Sequence, residues 1–325
     1  MKLPRRQFLH LAAGAAALPA VSHIAWAQAY PTRPVRIIVG AAPSGTYDIM
    51  ARLIGQWLSE RLGQQFVIEN RPGAGTTIGT EAVVKAPPDG YTLLLVGAAA
   101  ATSALLYDKL NFNLSRDIAP VAAISREPDI LAVNPAVPAR TVPEFIAYAK
   151  GHPGKISMAS GGIGTVGHLS GELFKMMTGV NLVHVPYRGL APALTDMLGG
   201  QVQVTFASTA PSIEHVKAGK LRALAVTTTT RSEMLPEVPT VAEFAPGYEA
   251  STWSGVGAPK ATPAEIIEKL NKEINAALAD HKIKARLADL ASAPLVGSAA
   301  DFGKLIADET EKWGNVIRTL NIKAE

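Results

Sequence analysis

Three glycine-rich segments of the chain could bind an anion through their backbone N–H groups. Residues 155–177, KISMASGGIGTVGHLSGELFKMM, combine an apolar run, a glycine turn at residues 160–164 and an amphipathic pattern that begins near Thr165. Residues 37–52 and 66–80 repeat this order of strand, turn and helix. Such a junction leaves amides unpaired at the positive end of a helix dipole, which favours a negatively charged ligand. We call these runs the first (37–52), second (66–80) and third (155–177) glycine segments, and we expect them to share one site.

The candidate ligand-binding residues are mostly small or carry a hydroxyl group, and most of them belong to the glycine segments. Hydroxyl side chains at such positions can instead cap helices or close turns, but their recurrence at three similar junctions favours a shared ligand site. The full set is Ser44, Gly45, Thr46, Tyr47, Gly75, Thr76, Thr77, Ser160, Gly164, Thr165, His168, Arg188 and Ser208.

Three ionisable side chains near these segments need separate interpretation. His168 either bonds to its own loop at the start of a helix or contacts a bound carboxylate. Arg188 follows a predicted strand and either pairs with a ligand anion or braces its loop against Asp196. Asp48 lies in the first turn of a predicted helix, where its charge is expected to complement the helix dipole.

A dinucleotide site is one alternative to an anion site, because Gly162, Gly164 and Gly167 satisfy G-x-G-x-x-G between a strand and a helix. That fingerprint also needs an acidic residue at the end of the next strand, which binds the ribose. The next predicted strand, residues 181–187, is followed by Arg188 and contains no carboxylate. We therefore expect no nucleotide cofactor.

The residue pattern gives no support to catalysis. The sequence contains no cysteine and no G-x-S-x-G motif, and no pair of carboxylates suited to acid–base chemistry stands out. The five histidines beyond residue 29 do not occur at a metal-ligand spacing. We therefore predict a protein that is not an enzyme, with no catalytic residue, no metal and no cofactor.

Length and charge narrow the class of protein further. A chain of 325 residues is longer than a single hydrophobic core usually supports, so two lobes are expected. The first 29 residues carry Lys2, Arg5 and Arg6 and no acid, so the formal net charge of +4 falls to +1 without them. A nearly neutral body with only 6% aromatic residues argues against a nucleic-acid partner.

The first 29 residues have the pattern of an export signal. Basic residues precede an apolar run at residues 8–21, which is shorter than the roughly 20 residues that span a bilayer. The adjacent Arg5 and Arg6 resemble a twin-arginine signal, and a Sec signal is the alternative. Cleavage is expected after Ala27 or Ala29, and the mature protein is expected in the periplasm.

Strand-like and helix-like runs alternate at residues 35–96 and again at residues 141–226, and the less regular stretch after Asp117 is expected to cross from one lobe to the other. Uninterrupted apolar strands that are separated by helices predict a parallel sheet covered on both faces. Separate strands are expected at residues 118–124 and 130–134, with Pro128 between them. Further on, Thr262 and Glu265 form a capping-box pattern that predicts the start of a helix.

A series of short motifs runs through the chain beyond the export signal. The motifs are Tyr30-Pro31, Pro34-Val35-Arg36, Ala51-Arg52, Glu69-Asn70-Arg71-Pro72-Gly73-Ala74-Gly75, Pro88-Asp89-Gly90-Tyr91, Ser160-Gly161-Gly162, Pro186-Tyr187-Arg188-Gly189, Ala218-Gly219-Lys220-Leu221-Arg222, Val238-Pro239-Thr240 and Glu311-Lys312-Trp313. In this order they resemble the Bug family, the solute receptors of tripartite tricarboxylate transporters. So many motifs in one order make the resemblance specific.

This resemblance implies an α/β protein with the type II periplasmic-binding-protein fold, in which two α/β lobes are joined by a hinge and enclose an interlobe ligand cleft. It also implies a monomeric receptor that captures a small carboxylate, either a dicarboxylate or an aromatic acid, by lobe closure. The membrane permease subunits of the transporter would then receive the ligand. A periplasmic sensor that presents its loaded form to a signalling partner is the alternative. The expected division is residues 30–130 with 252–325 in lobe 1, and residues 131–251 in lobe 2.

Two glycine segments depart from the family pattern. The first reads Pro43-Ser44-Gly45 where the family usually has Pro-Gly-Gly, and the second has Thr76-Thr77 where Gly-Gly is usual. Hydroxyl residues add hydrogen-bond donors and bulk, so Tyr47 and Thr76 are predicted to influence ligand specificity. Tyr47 either stacks on an aromatic acid or packs under its loop.

Overall fold

The computed structural model describes residues 30–43, 45–107 and 110–323 of the chain. The predicted export signal and the candidate residue Ser44 lie outside the described residues. Within the described part, the strands form one ten-stranded sheet in which eight strands follow the order β2-β1-β3-β9-β4-β7-β5-β6, while β8 and β10 pair with β4. The candidate site lies where the two halves of this sheet meet.

The first half of the sheet comprises three parallel strands with helices between them, as the alternating pattern predicts. Its elements are β1 (Val35–Val39), α1 (Thr46–Leu62), β2 (Phe66–Asn70), a 3-10 turn (Ala74–Thr76), α2 (Thr77–Val84), β3 (Thr92–Gly97), α3 (Ala98–Leu106) and α4 (Leu114–Asp117). The sequence analysis did not predict α3, although its run of alanines has high helix propensity.

The second half repeats the construction, with β5 between its parallel partners β6 and β7. Its elements are α5 (Val142–Gly151), β5 (Ile156–Ser160), α6 (Val166–Thr178), β6 (Leu182–Pro186), α7 (Leu190–Leu198), β7 (Val204–Ser208), α8 (Thr209–Lys217), β8 (Arg222–Val226) and a 3-10 turn (Val241–Glu243). The helix predicted to begin near Thr165 is α6, with Thr165 as its N-cap residue.

Two long strands connect the halves, the first of them in the region where the sequence predicts a crossing between lobes, and they add antiparallel pairs to the parallel ones. They are β4 (Ile118–Val133) and β9 (Ser251–Pro259), which pair with each other antiparallel. The sequence analysis split β4 at Pro128 and did not predict β9. Pro128 is tolerated because it lies where β4 changes partners, from β9 on one side to β7 from Asp129 onwards.

The remaining helices cover the sheet and join its two halves. They are α9 (Ala264–Ala279), α10 (His281–Asp289) and α11 (Ala299–Thr319), with the short β10 (Ala293–Pro294) before α11. Phe302 near the start of α11 packs into a hydrophobic cluster of the first half. Trp313 and Ile317 near its end pack into the cluster of the second half. The single helix α11 therefore contacts both halves of the protein.

The start of α9 differs from the predicted capping box. Pro263 occupies the N-cap position with an extended ψ of 139°, and no side chain caps the helix. Thr262 therefore lies one residue too early, and its buried hydroxyl has no hydrogen-bond partner. A complete capping box does occur at α11, where Ser298 and Asp301 exchange hydrogen bonds.

Candidate functional site

A cavity of about 280 Å³ lies where the two halves of the sheet meet. Its volume corresponds to a small-molecule site at the lower end of the usual range of roughly 300–1,000 Å³. Among the described residues that line it, none is lysine or arginine. The lining consists of Ala41, Thr46, Tyr47, Ala99, Glu127, Asp129, Gly161, Thr165, Val166, Gly167, Gly189, Leu190, Phe206, Ala207, Ser208 and Thr252.

The N-terminal ends of five helices border this cavity. The lining includes the first turn of α1, α3, α6 and α7, together with Ser208, the N-cap residue of α8. Among the described residues, four of these helices begin without a side-chain cap, and α6 is the exception. The first amides of a helix have no intrahelical acceptor, so these termini together create a positive potential in a cavity without a basic side chain.

Two buried carboxyl groups face the same cavity from β4. Glu127 and Asp129 are separated by two positions along the strand and therefore project from the same face. Their residues are only 2% and 1% exposed, and none of their four carboxyl oxygens forms a hydrogen bond of good geometry with a described residue. The hydroxyls of Ser208 and Thr252 lie near Asp129, and that of Ser292 lies near Glu127. Thr252 of β9 lies opposite Glu127, and Ser208 of β7 lies opposite Asp129. We call Glu127 and Asp129 the acid pair.

Burial dominates the protonation of the acid pair. Burial, with a contribution from the neighbouring Asp129, raises the pKa of Glu127 from 4.5 to about 8. Burial likewise raises the pKa of Asp129 from 3.8 to about 7, although the hydroxyls of Ser208 and Thr252 weakly oppose this rise. Both pKa values thus lie near neutral pH, because an apolar surrounding disfavours the charged form.

Glu127 and Asp129 were not among the site residues predicted from the sequence, where only a pair suited to acid–base catalysis was sought. A signal was available, because Glu127 and Asp129 interrupt an apolar run that forms a buried strand. Charged residues are almost never fully buried without partners, so two acids in such a run indicate a site.

The third glycine segment satisfies most of its own polar groups. The Gly164 amide donates to Nδ1 of His168 at 3.0 Å, and the Gly162 amide donates to Oγ of Ser160 at 3.2 Å. The Thr165 hydroxyl donates to the Gly162 carbonyl at 2.8 Å and caps α6 by accepting from the His168 amide. Of the candidate residues in this segment, Thr165 alone lines the cavity, whereas Ser160, Gly164 and His168 lie behind the loop.

His168 bonds to its own loop, as one of its two interpretations predicted. Its ring is buried and stacks on His184, with ring centroids 3.8 Å apart. Burial, with a contribution from His184, lowers the pKa of His168 from 6.5 to about 3, and burial lowers that of His184 to about 4. Both imidazoles are therefore neutral at pH 7, and Nδ1 of His168 acts as an acceptor.

The first glycine segment contributes Thr46 and Tyr47 to the cavity lining. Gly45 is exposed and forms the N-cap of α1 just outside the lining. The Tyr47 ring packs on Gly97, where an added Cβ would lie 2.3 Å from Cζ of the ring. Asp48 accepts hydrogen bonds from Arg52 and Asn70, both within 3.0 Å, and so ties α1 to the end of β2.

The second glycine segment lies away from the cavity lining, so the structure does not bring all three segments together. Residues 73–76 all have positive φ, including 81° at Thr76, and the loop packs against Gly40 and α3. The Thr77 hydroxyl donates to the Ala74 carbonyl at 2.8 Å, and Ser103 donates to the Gly75 carbonyl. Gly75, Thr76 and Thr77 therefore shape the loop behind the first segment.

The last two candidates differ in position. Ser208 lines the cavity beside Asp129. Arg188 is exposed and outside the lining, and the side chain it was expected to brace, Asp196, accepts instead from the Tyr187 hydroxyl at 2.6 Å. Four of the thirteen candidates thus line the cavity, and their roles in ligand binding stay predictions.

Two features are absent from the described part of the chain. That part contains no group of three or more His, Cys, Asp or Glu residues arranged to hold a metal ion. It also contains no helix with the length and apolar character needed to cross a bilayer.

Comparison with known proteins identifies relatives along most of the chain. A family model described as the tripartite tricarboxylate transporter family receptor matches residues 50–322. Protein BugT of Bordetella pertussis is 37% identical over 300 residues, which cover 91% of this chain and 92% of that protein.

Solved structures match equally well. Rpa4515 of R. palustris, solved with adipate, has a TM-score of 0.82 and 38% identity, over 90% of this chain and 99% of that one. The periplasmic binding protein BugD has a TM-score of 0.79 and 34% identity, over 91% and 100%. MatC of Rhodopseudomonas palustris, solved with bound malate, has a TM-score of 0.77 and 31% identity, over 89% and 100%.

The fold is therefore that of a type II periplasmic binding protein, an α/β architecture of two lobes with a cleft between them. The class is confirmed by sequence as well as by structure. The chain belongs to the receptor family of tripartite tricarboxylate transporters, which includes the Bug proteins.

Proposed function

We propose that this chain is an extracytoplasmic solute-binding receptor that captures a small carboxylate in its cavity and delivers it to a membrane permease. The receptor is exported to the periplasm, acts as a monomer, and performs no catalysis. Its partners are the permease subunits of a tripartite tricarboxylate transporter. The lobes close on the ligand because only the closed state lets it contact both halves of the cavity.

One observation carries the proposal: five helix N-termini converge on a cavity whose described lining has no lysine or arginine. Helix N-termini bind anions through free amides and the helix dipole. Such a site can bind a carboxylate without a buried arginine, and release then requires no strong ion pair to be broken. Two relatives have ligands of this chemistry, since Rpa4515 was solved with adipate and MatC with bound malate.

Thermal unfolding of the mature chain with a panel of carboxylates tests this function. The panel contains aliphatic and aromatic mono- and dicarboxylates, the amide analogue of each, ω-amino acids and NADH. A ligand that binds only the native state stabilises it by about 2.7 kcal/mol at a hundredfold excess over Kd, so a hit gives a clear rise in Tm. We expect at least one carboxylate to raise Tm while its amide does not.

A matched pair of variants shows whether a hit binds in this cavity. Ala41→Leu places a larger side chain into the lining, whereas Ala42→Leu makes the same change at an exposed neighbour outside it. We expect Ala41→Leu to weaken binding at least tenfold and Ala42→Leu to leave it unchanged. A shift with NADH alone, or no shift with any carboxylate, would contradict the receptor function.

A further inference from the structure

The acid pair is the feature of the cavity that binding of a simple carboxylate leaves unexplained. Glu127 and Asp129 are buried and line the cavity, and among the described residues only neighbouring hydroxyl groups, without a well-formed hydrogen bond, lie near their carboxyl oxygens. Leaving such groups unpaired is costly, so natural proteins keep them where a ligand or another function uses them.

Within the described part of the chain, no basic side chain pairs with Glu127 or Asp129. The neighbouring Arg126 projects from the opposite face of β4, where its guanidinium lies 3.2 Å from Glu249. Lys312 also pairs with Glu249, at 2.6 Å. The described cavity lining therefore contains two acids and no base, a balance that opposes a ligand with negative charge at both ends.

The helix N-termini and the acid pair, which border the same cavity, prefer opposite charges. Helix N-termini favour a carboxylate, whereas Glu127 and Asp129 in their ionised form favour a cation or a strong hydrogen-bond donor. We propose that the ligand carries a cationic nitrogen as well as a carboxylate, and that the acid pair binds the nitrogen while the helix N-termini bind the carboxylate. This inference rests on the proposed receptor function and narrows its substrate class to amino-carboxylates.

The cross-strand neighbours suit this role. Ser208 and Thr252 flank the two acids on either side and line the cavity with them. Each hydroxyl can accept one hydrogen bond from an ammonium group, which has three donors in a primary amine. The Thr227 hydroxyl accepts from the Asp129 amide at 2.9 Å and so fixes the backbone beneath the acid.

Binding of a cationic nitrogen has a definite pH dependence. Ligand binding would keep the acid pair ionised, so protons leave the protein on binding, and affinity rises with pH up to about 8. Besides the acid pair, the ionisable side chains coupled to it are Tyr47 on α1 and Tyr248 before β9. Burial raises the pKa of both tyrosines well above this range, so both stay neutral.

Matched ligands test the inference directly in the mature protein by isothermal titration calorimetry. The probes are succinate with 4-aminobutanoate, glutarate with 5-aminopentanoate, and adipate with 6-aminohexanoate. Each pair has a similar length and replaces one carboxylate by an ammonium group. We expect the amino member of the best-fitting pair to bind at least tenfold more tightly at pH 8, with proton release in buffers of different ionisation enthalpy.

Variants assign the preference to the acid pair. Asp129→Asn and Glu127→Gln should each weaken binding of the amino ligand by roughly 10-fold to 100-fold and strengthen binding of the dicarboxylate. Glu172→Gln is the control, because Glu172 is a buried acid that pairs with Lys175 at 2.8 Å outside the cavity lining. This control should retain the preference for the amino ligand.

The outcomes separate this inference from the proposed function. A dicarboxylate that binds as tightly as its amino partner, with proton uptake, would overturn the inference and leave the receptor function intact. Equal preference in the wild type and in Asp129→Asn would also overturn it. Failure of every carboxylate in this set and in the broader panel would overturn both.

Discussion

The third glycine segment and the acid pair border the same cavity but differ in how their polar groups are used. In the glycine segment, Ser160, Thr165 and His168 bond to amides or carbonyls of their own loop. In the acid pair, none of the four carboxyl oxygens forms a well-formed hydrogen bond with a described residue. A polar group that is already bonded shapes a site, whereas a buried group without a partner is available to a ligand.

The two regions also respond to pH in opposite directions. The acid pair has a raised pKa in the folded state, so the folded protein binds more protons than the unfolded chain between about pH 4 and pH 8. The stacked pair of His168 and His184 has a lowered pKa, so the unfolded chain binds more protons below about pH 6.5. The acid pair therefore makes the folded protein less stable as pH rises, and the histidines make it less stable as pH falls.

The largest expected effect comes from forcing the glycine segment away from its neighbour. In Gly167→Ala, the added Cβ would lie 2.2 Å from the carbonyl oxygen of Phe206, so α6 and β7 must separate. We expect a loss of about 3 kcal/mol in the free energy of unfolding, measured by urea denaturation. Gly151→Ala is the control, because nothing lies near its added Cβ at the end of α5. Equal stability of Gly167→Ala and the wild type would show that the loop can move without strain.

The second prediction uses the opposite pH responses. Between about pH 6.5 and pH 8.5 the histidines no longer contribute, so the stability of the wild type should fall with pH because the acid pair must ionise. In the double variant Glu127→Gln with Asp129→Asn this fall should disappear. We expect the double variant to exceed the wild type by on the order of 2 kcal/mol at pH 8.5, as measured by denaturation at a series of pH values.

Two controls accompany this measurement. Glu172→Gln should keep the pH response of the wild type, because its buried acid already has a lysine partner. Replacing His168 by Gln should reduce the loss of stability that occurs as pH falls below 6.5. It should not alter how stability changes above pH 6.5. A double variant that still loses stability above pH 6.5 would show that other groups cause the fall.

The smallest expected effect separates two hydroxyl groups that both line the cavity. The Thr165 hydroxyl caps α6 and bonds to the Gly162 carbonyl, whereas Ser208 caps α8 without a side-chain hydrogen bond. Thr165→Ala should therefore reduce the free energy of unfolding by about 1 kcal/mol, and Ser208→Ala should change it by less than about 0.5 kcal/mol. Thermal denaturation of both variants measures this difference in stability. A larger loss for Ser208→Ala than for Thr165→Ala would contradict the assigned bonds.

The local elements could largely be predicted from the sequence. The strand patterns of β1 and β5, the helix α1 and the start of α6 at Thr165 all depend on residues close in the chain. Such interactions span at most four residues in a helix or alternate along a strand, so their periodicity is visible in one sequence. The motifs that resemble the Bug family were equally local, and the comparisons confirm the family.

The tertiary structure decided how these elements share a site. Pairing of β4 with β9 joins residues far apart in the chain, and it tolerates Pro128 only because β4 changes partners there. The bond from Gly164 to His168 occupies an amide that the sequence pattern assigned to a ligand. Burial of Glu127 and Asp129 beside the cavity follows from strand pairing and packing at long range. The sequence determined which backbone amides and hydroxyls the loops contain, and only long-range packing decided which polar groups have no partner within the protein.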